Sequence, residues 1–235
     1  MNLQLTPIVK NLLIINALVW VSLMILTGSN ENFGKSLNSN FFTLNKSNLL
    51  GLRETVPMEG GIEGYPVGGN YAIPANKFNP IQILTSFFNH DSRGIQHILF
   101  NMFTLLMIGP AIEMAMGSKR FLQFYLFCGI VAGILVAFLD PSPNPVLGAS
   151  GAILGLIVAF AVYYPQAELL LFFVLPMKST TIAWVAGIGS AALFILDTVG
   201  ADMANWGNIS HFGHLAGMVA ALLFFYLRPK IPFLR

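Results

Sequence analysis

The amino-acid sequence predicts an all-α polytopic membrane protein, a six-transmembrane-helix bundle with a long extracytoplasmic first loop. Three observations carry this. Of 235 residues, 55% are hydrophobic and only 9% charged, against about 25% charged in soluble domains. Apolar runs recur along the chain near the length of about 20 residues that a helix needs to cross ~30 Å of hydrocarbon. Between the first and second runs lies a polar stretch rich in Asn, Gly and Pro, with nothing in it long enough to cross.

The elements follow in order. Ile8 to Thr27 is apolar, has Lys10 near its start and shows no small-residue cleavage pattern, so it reads as a retained span. Residues 29–94 form the extracytoplasmic loop, with Gly60-Gly61 and Gly68-Gly69 at its tip. Further spans are expected at Gln96 to Met116, Phe121 to Leu139, Gly148 to Tyr164, Thr181 to Leu196 and Phe212 to Leu227, making one domain of residues 1–235. Leu169 to Leu175, closed by Pro176, is too short to span and is expected in the interface or packed on the bundle.

Orientation follows from the basic residues, which resist translocation. Lys10, Lys119, Arg120, Lys178, Arg228, Lys230 and Arg235 would share one face. Both termini are therefore expected in the cytoplasm, and the chain in a bacterial inner membrane. The last runs before Tyr164, Leu196 and Leu227 are short, and prolines at 141, 143 and 145 forbid a regular helix ahead of Gly148. Irregular backbone at membrane depth survives when buried or when it lines water, so a wet pocket near the outer face is expected.

Composition narrows the function. A net charge of +2, with no basic run longer than Lys119-Arg120, leaves no footprint for nucleic acid. The lone Cys128 gives neither a disulfide framework nor a metal-spaced Cys cluster.

Polar groups inside spans are functional candidates because leaving them unpaired in lipid is costly. His97 and Asn101 are an i, i+4 pair opening span two, Gly148-Ala149-Ser150-Gly151 opens span four, and His211-Phe212-Gly213-His214 opens span six. These three spans run in the same direction, so their first turns share one depth. Gly151, Gly155 and Ala159 on one helix, and Gly213, Gly217 and Ala221 on another, form small-residue stripes that permit close helix approach. Ser150 and His214 border the stripes, as an activated serine and its base would. With no acid near His214 in sequence, a Ser-His dyad is expected. His97, Asn101 and the free backbone N–H groups at the start of span four are oxyanion donors, each typically worth about 2.7–4 kcal/mol. His211 is expected as a rim residue nearer water. Glu113 is expected to pair with Lys119 or Arg120.

These residues carry a family resemblance. The chain resembles rhomboid intramembrane serine proteases from about Phe78 to Phe225, beginning with the lead-in Phe78-Asn79-Pro80 through Phe88-Asn89-His90. His97 and Asn101 fall on the family's H-x-x-x-N pair. Gly109, Glu113, Gly117, Phe121 and Tyr125 follow its rhythm around the next turn, Gly148 to Gly151 match its G-x-S-G, and His214 to Gly217 match its last-helix motif. The resemblance implies a rhomboid six-helix bundle with Ser150 as nucleophile, His214 as general base, and His97 with Asn101 at the oxyanion. It also implies single-span transmembrane protein substrates drawn from the lipid bilayer and cut near its outer face, with no metal and no cofactor. The family's usual aromatic residue one turn after the serine is here Leu154, the Arg two residues after the glutamate is Ala115, and the first loop lacks a Trp-Arg pair. Two other functions compete: an inactive rhomboid-like protein that binds membrane clients, and a small transporter using His97, Asn101 and His214 as a polar path.

Overall fold

The computed structural model describes residues 5–44, 78–90, 95–140, 146–171, 174–199 and 210–228. The glycine-rich loop tip and the prolines at 141, 143 and 145 lie outside them.

Helix α1 spans Pro7–Ser29, with proline where the first helical N–H has no partner to lose. Short helix α2, Glu31–Leu37, and a π turn, Asn38–Phe42, follow it. Helix α3, Gln82–Thr85, runs into a 3-10 turn at Ser86–Phe88; then come α4, Ile95–Met116, and α5, Ser118–Leu139. Between them Gly117 has a φ of 81°, a left-handed conformation that glycine adopts without strain. Helix α6 is Ser150–Tyr163, α7 is Ser179–Thr198 and α8 is His211–Leu227.

By length and composition α1, α4, α5 and α7 can each cross a membrane, whereas α6 and α8 have 14 and 17 residues. The short α6 is the centre of the bundle and packs against α4, α5, α7 and α8. Its buried residues Ala152, Ile153, Leu156, Ala159 and Phe160 recur at the three- and four-residue spacing of one helix face, and buried Gly155 and Val158 widen that face. Phe124 of α5 meets Phe224 of α8 edge to face at 5.1 Å. Helix α7 is peripheral: its buried residues are Ser179 and Ser190, while Trp184, Val185 and Ile188 are exposed, the pattern of a lipid-facing surface.

Two expectations change, and a third gains its structure. In the segment expected in the interface or packed on the bundle, strand β1, Glu168–Leu171, pairs antiparallel with β2, Leu175–Lys178. Run length alone cannot separate a short buried helix from a strand pair. Leu169 packs on the core while Leu170 and Val174 are exposed.

Glu113 does not turn to Lys119 or Arg120. It is buried, and its carboxylate accepts hydrogen bonds from the backbone N–H groups of Ile8 at 3.1 Å and Val9 at 2.9 Å, and from Ser118 Oγ at 2.6 Å. The first N–H groups of a helix lack intrahelical partners and carry partial positive charge. Glu113 supplies both the acceptors and the charge to the start of α1.

His211 is not a rim residue. It is buried, and its Nε2 lies 4.0 Å from Asp197 Oδ2 of α7. The α7–α8 approach covers it, which its position in sequence does not disclose.

Candidate active site

Helix α6 begins two residues later than its apolar run. Gly148 has a φ of 114°, outside any helix, and its N–H donates to the Ser86 carbonyl at 2.9 Å. The helix therefore starts at Ser150, leaving the first-turn N–H groups without intrahelical acceptors. A Cβ built on Gly148 would lie 2.7 Å from both Cε1 and Nε2 of His97. Glycine is thus required twice, by its dihedral angle and by the imidazole against it. The contact also brings the outer edge of the His97 ring to the approach of Ser150.

The small-residue stripes of α6 and α8 meet. A Cβ on Gly217 would collide with the Gly151 carbonyl, one on Gly151 would lie 3.3 Å from the Gly213 carbonyl oxygen, and one on Gly155 would lie 3.2 Å from that of Gly217. Ser150 immediately precedes Gly151 and His214 immediately follows Gly213, so both leave the backbone at this crossing. Among the described residues, no hydrogen bond joins their side chains. Catalytic hydrogen bonds are often long in a free enzyme and tighten on substrate binding.

Asn101 is buried on α4, and its Nδ2 donates to the His97 carbonyl one turn earlier at 2.6 Å. One amide N–H is thereby engaged within its own helix and the second is left to serve elsewhere. At the start of α8, Ser210 Oγ accepts from the Gly213 N–H at 3.0 Å, a cap that seats the turn carrying His214. The His211 and His214 rings lie edge to face at 5.9 Å. Asp197 therefore stands by His211 and not by His214.

Sequence reasoning missed the support behind His97. The Asn89 amide donates to Asn38 Oδ1 at 2.7 Å and to the Phe42 carbonyl at 3.0 Å. Gln82 Nε2 donates to the Asn40 carbonyl at 2.9 Å. Leu44 and Val146 exchange backbone hydrogen bonds of 2.8 and 3.0 Å. Residues 38–44, 82–90 and 146–148 thus form one platform beneath the approach to α6. On it sits His90, buried and edge to face with His97 at 5.1 Å. Burial first, and the neighbouring His97 second, push the His90 imidazole down to about 3. Nothing in the periodicity of the chain points to His90, because it lies outside the helix that carries His97.

Among the described residues no group of three His, Cys, Asp or Glu is arranged to hold a metal ion. The chemistry on hand is a hydroxyl and an imidazole leaving one helix crossing, with N–H donors beside them.

Comparison with known proteins agrees in kind. The chain is 31% identical over 150 residues to "Rhomboid protein 1, mitochondrial" of Saccharomyces cerevisiae, covering 61% of this chain and 40% of that protein. It is 31% identical over 148 residues to the human "Presenilin-associated rhomboid-like protein, mitochondrial", covering 61% and 37%. Against "Rhomboid protease GluP" of Bacillus subtilis it is 33% identical over 126 residues, covering 54% and 22%. The chain thus spans less than half the length of these relatives. The family model of the Rhomboid domain matches residues 77–230, which takes in α3 to α8 and every candidate site residue. By that match, the chain belongs to the rhomboid family of membrane proteins.

Proposed function

We propose that the protein is an intramembrane serine endopeptidase that cuts single-span transmembrane substrates, with Ser150 as nucleophile and His214 as general base. The observation that carries this reading is the backbone contact of α6 and α8 at Gly151, Gly213 and Gly217, from which Ser150 and His214 both emerge. Ser150 Oγ attacks the scissile carbonyl carbon while its proton passes to the His214 imidazole. The oxyanion takes hydrogen bonds from the backbone N–H at the start of α6, from His97 Nε2–H and from the second amide N–H of Asn101. The C–N bond then breaks as His214 returns the proton to the leaving amine. Water adds to the acyl-Ser150 ester with His214 again taking a proton, and the ester C–O bond breaks as Oγ is reprotonated.

Topology supports access from the outer leaflet. Lys10, Lys119, Arg120, Lys178 and Arg228 lie by the starts of α1, α5 and α7 and the end of α8, away from the starts of α4, α6 and α8 that carry the site. We assign the basic ends, and both termini, to the cytoplasm. A bacterial inner membrane is our proposed location; the Bacillus relative favours it, while two of the relatives are mitochondrial by name.

The test is labelling of detergent-solubilised protein by a fluorophosphonate probe, which needs no substrate. Wild-type labelling that vanishes in Ser150→Ala and His214→Ala is the expected result. A folded wild type that stays unlabelled, beside an active rhomboid that labels, would leave the client-binding reading.

A further inference from the structure

The platform holds a histidine that the chemistry above does not use. His90 is 2% exposed, and among the described residues neither ring nitrogen makes a hydrogen bond of normal geometry, although the Phe88 backbone lies close enough to act on the ring. Leaving buried polar groups without well-formed hydrogen bonds is costly. Packing alone does not explain an imidazole here, since the preceding residues Phe87 and Phe88 show that this segment readily supplies apolar rings. What His90 does touch is His97, ring against ring at 5.1 Å and 61°.

The orientation of His97 says what such a neighbour is for. Its Cε1 and Nε2 are the atoms set against Gly148, with Cδ2 next at 4.0 Å, so Nδ1 lies farther from the start of α6 than any of these. An oxyanion donor at this place must carry its proton on Nε2. In a neutral imidazole, the nitrogen that bears the proton is decided by the hydrogen bond the other nitrogen makes. An N–H delivered to Nδ1 would therefore leave the proton on Nε2.

We propose that His90 is a positioning residue that donates an N–H to Nδ1 of His97 and so holds His97 as the Nε2–H tautomer facing the start of α6. Its catalytic consequence rests on the protease reading; the pairing does not. A neutral His90 has one N–H to give and one acceptor nitrogen, and burial keeps it neutral throughout the physiological range. The chain is anchored for this task, because Asn89, the residue before it, is tied to Asn38 and Phe42. Rotation of the ring out of the edge contact makes the hydrogen bond.

The chain has only four histidines, so nitrogen NMR of protein labelled with 15N-histidine resolves each ring, with His90→Phe and His97→Asn spectra as assignments. The wild type is expected to show His97 as a single Nε2–H tautomer. In His90→Phe, which keeps a buried ring, His97 is expected to become a mixture of tautomers. Its kcat is expected to fall about tenfold with KM unchanged, part of the 10²–10³ that removal of a whole oxyanion donor costs. His90→Asn, which keeps an N–H donor, is expected to restore most of both signals. An Nδ1–H tautomer at His97 in the wild type overturns the proposal even if His90→Phe does not fold. So does a His97 spectrum that His90→Phe leaves unchanged. The NMR readout needs no turnover, so an unlabelled, inactive wild type would sink the protease reading and leave the histidine pairing to be judged by itself.

Discussion

Gly217 of α8 sits against the carbonyl of Gly151 of α6 so closely that a β-carbon on Gly217 could not coexist with it. The neighbour at the collision is helix backbone, which cannot rotate away. Gly217→Ala is therefore expected to push the helices apart, costing about 1–3 kcal/mol or more as overpacking does, and to abolish Ser150 labelling. Gly189→Ala on α7 is the control, since a Cβ there meets nothing within 4 Å. Thermal unfolding in detergent should show a lower midpoint for the first and an unchanged or slightly raised one for the second.

Gly148→Ala tests two constraints at one residue. The methyl would strike His97, and the φ of 114° would be strained for any residue with a side chain. Activity should be lost. Adding His97→Ala relieves only the collision, so the double variant should recover stability in part and activity not at all. Full recovery of the unfolding midpoint would show that the dihedral angle plays no part.

Glu113 stabilises the start of α1, so its loss should read out as stability. Hydrogen bonds to charged groups contribute about 1.5–3 kcal/mol, and Glu113→Ala removes the acceptor for Ile8, Val9 and Ser118 together. A drop in unfolding midpoint with faster hydrogen exchange at the first turn of α1 is expected. Lys119→Ala should leave both unchanged; an equal effect there would restore the ion pair.

His90 gives the fold a pH dependence of definite sign. Its imidazole titrates at 6.5 when unfolded and is held down to about 3 in the fold, so the unfolded chain binds the proton more readily. Stability is complete above 6.5 and falls between 6.5 and about 3, by up to about 1.4 kcal/mol per pH unit. Unfolding midpoints measured across that window should flatten in His90→Phe. Parallel curves for the two proteins would refute the assignment.

Asp197 distinguishes a dyad from a triad. It meets His211, and His211 in turn meets only the edge of the His214 ring. Asp197→Asn is expected to lower kcat no more than about threefold, where loss of a true triad acid costs about 10⁴. A loss on that larger scale would make Asp197 a member of the catalytic set.

What the sequence determined by itself is the part of this protein whose physics is local. Apolar length dictates where α1, α4, α5 and α7 lie, Gly148 can hold the dihedral angle that keeps α6 from starting before Ser150, and the spacing of Gly151 and Gly155 or Gly213 and Gly217 marks the faces able to touch. The side chains of Ser150, His214, His97 and Asn101 stand out because polar groups are costly in lipid wherever the chain goes. What only the tertiary structure decided is the choice among partners. Glu113 faced Lys119 and Arg120 in sequence, yet it serves Ile8 and Val9 from more than 100 residues away. His211 is buried because α7 brings Asp197 over it, Asn101 turns to its own helix, and His90 reaches His97 from outside any helix. The pairing of β1 with β2 is decided in the same way. Each of these depends on distances across the bundle, and periodicity along a chain carries no information about them.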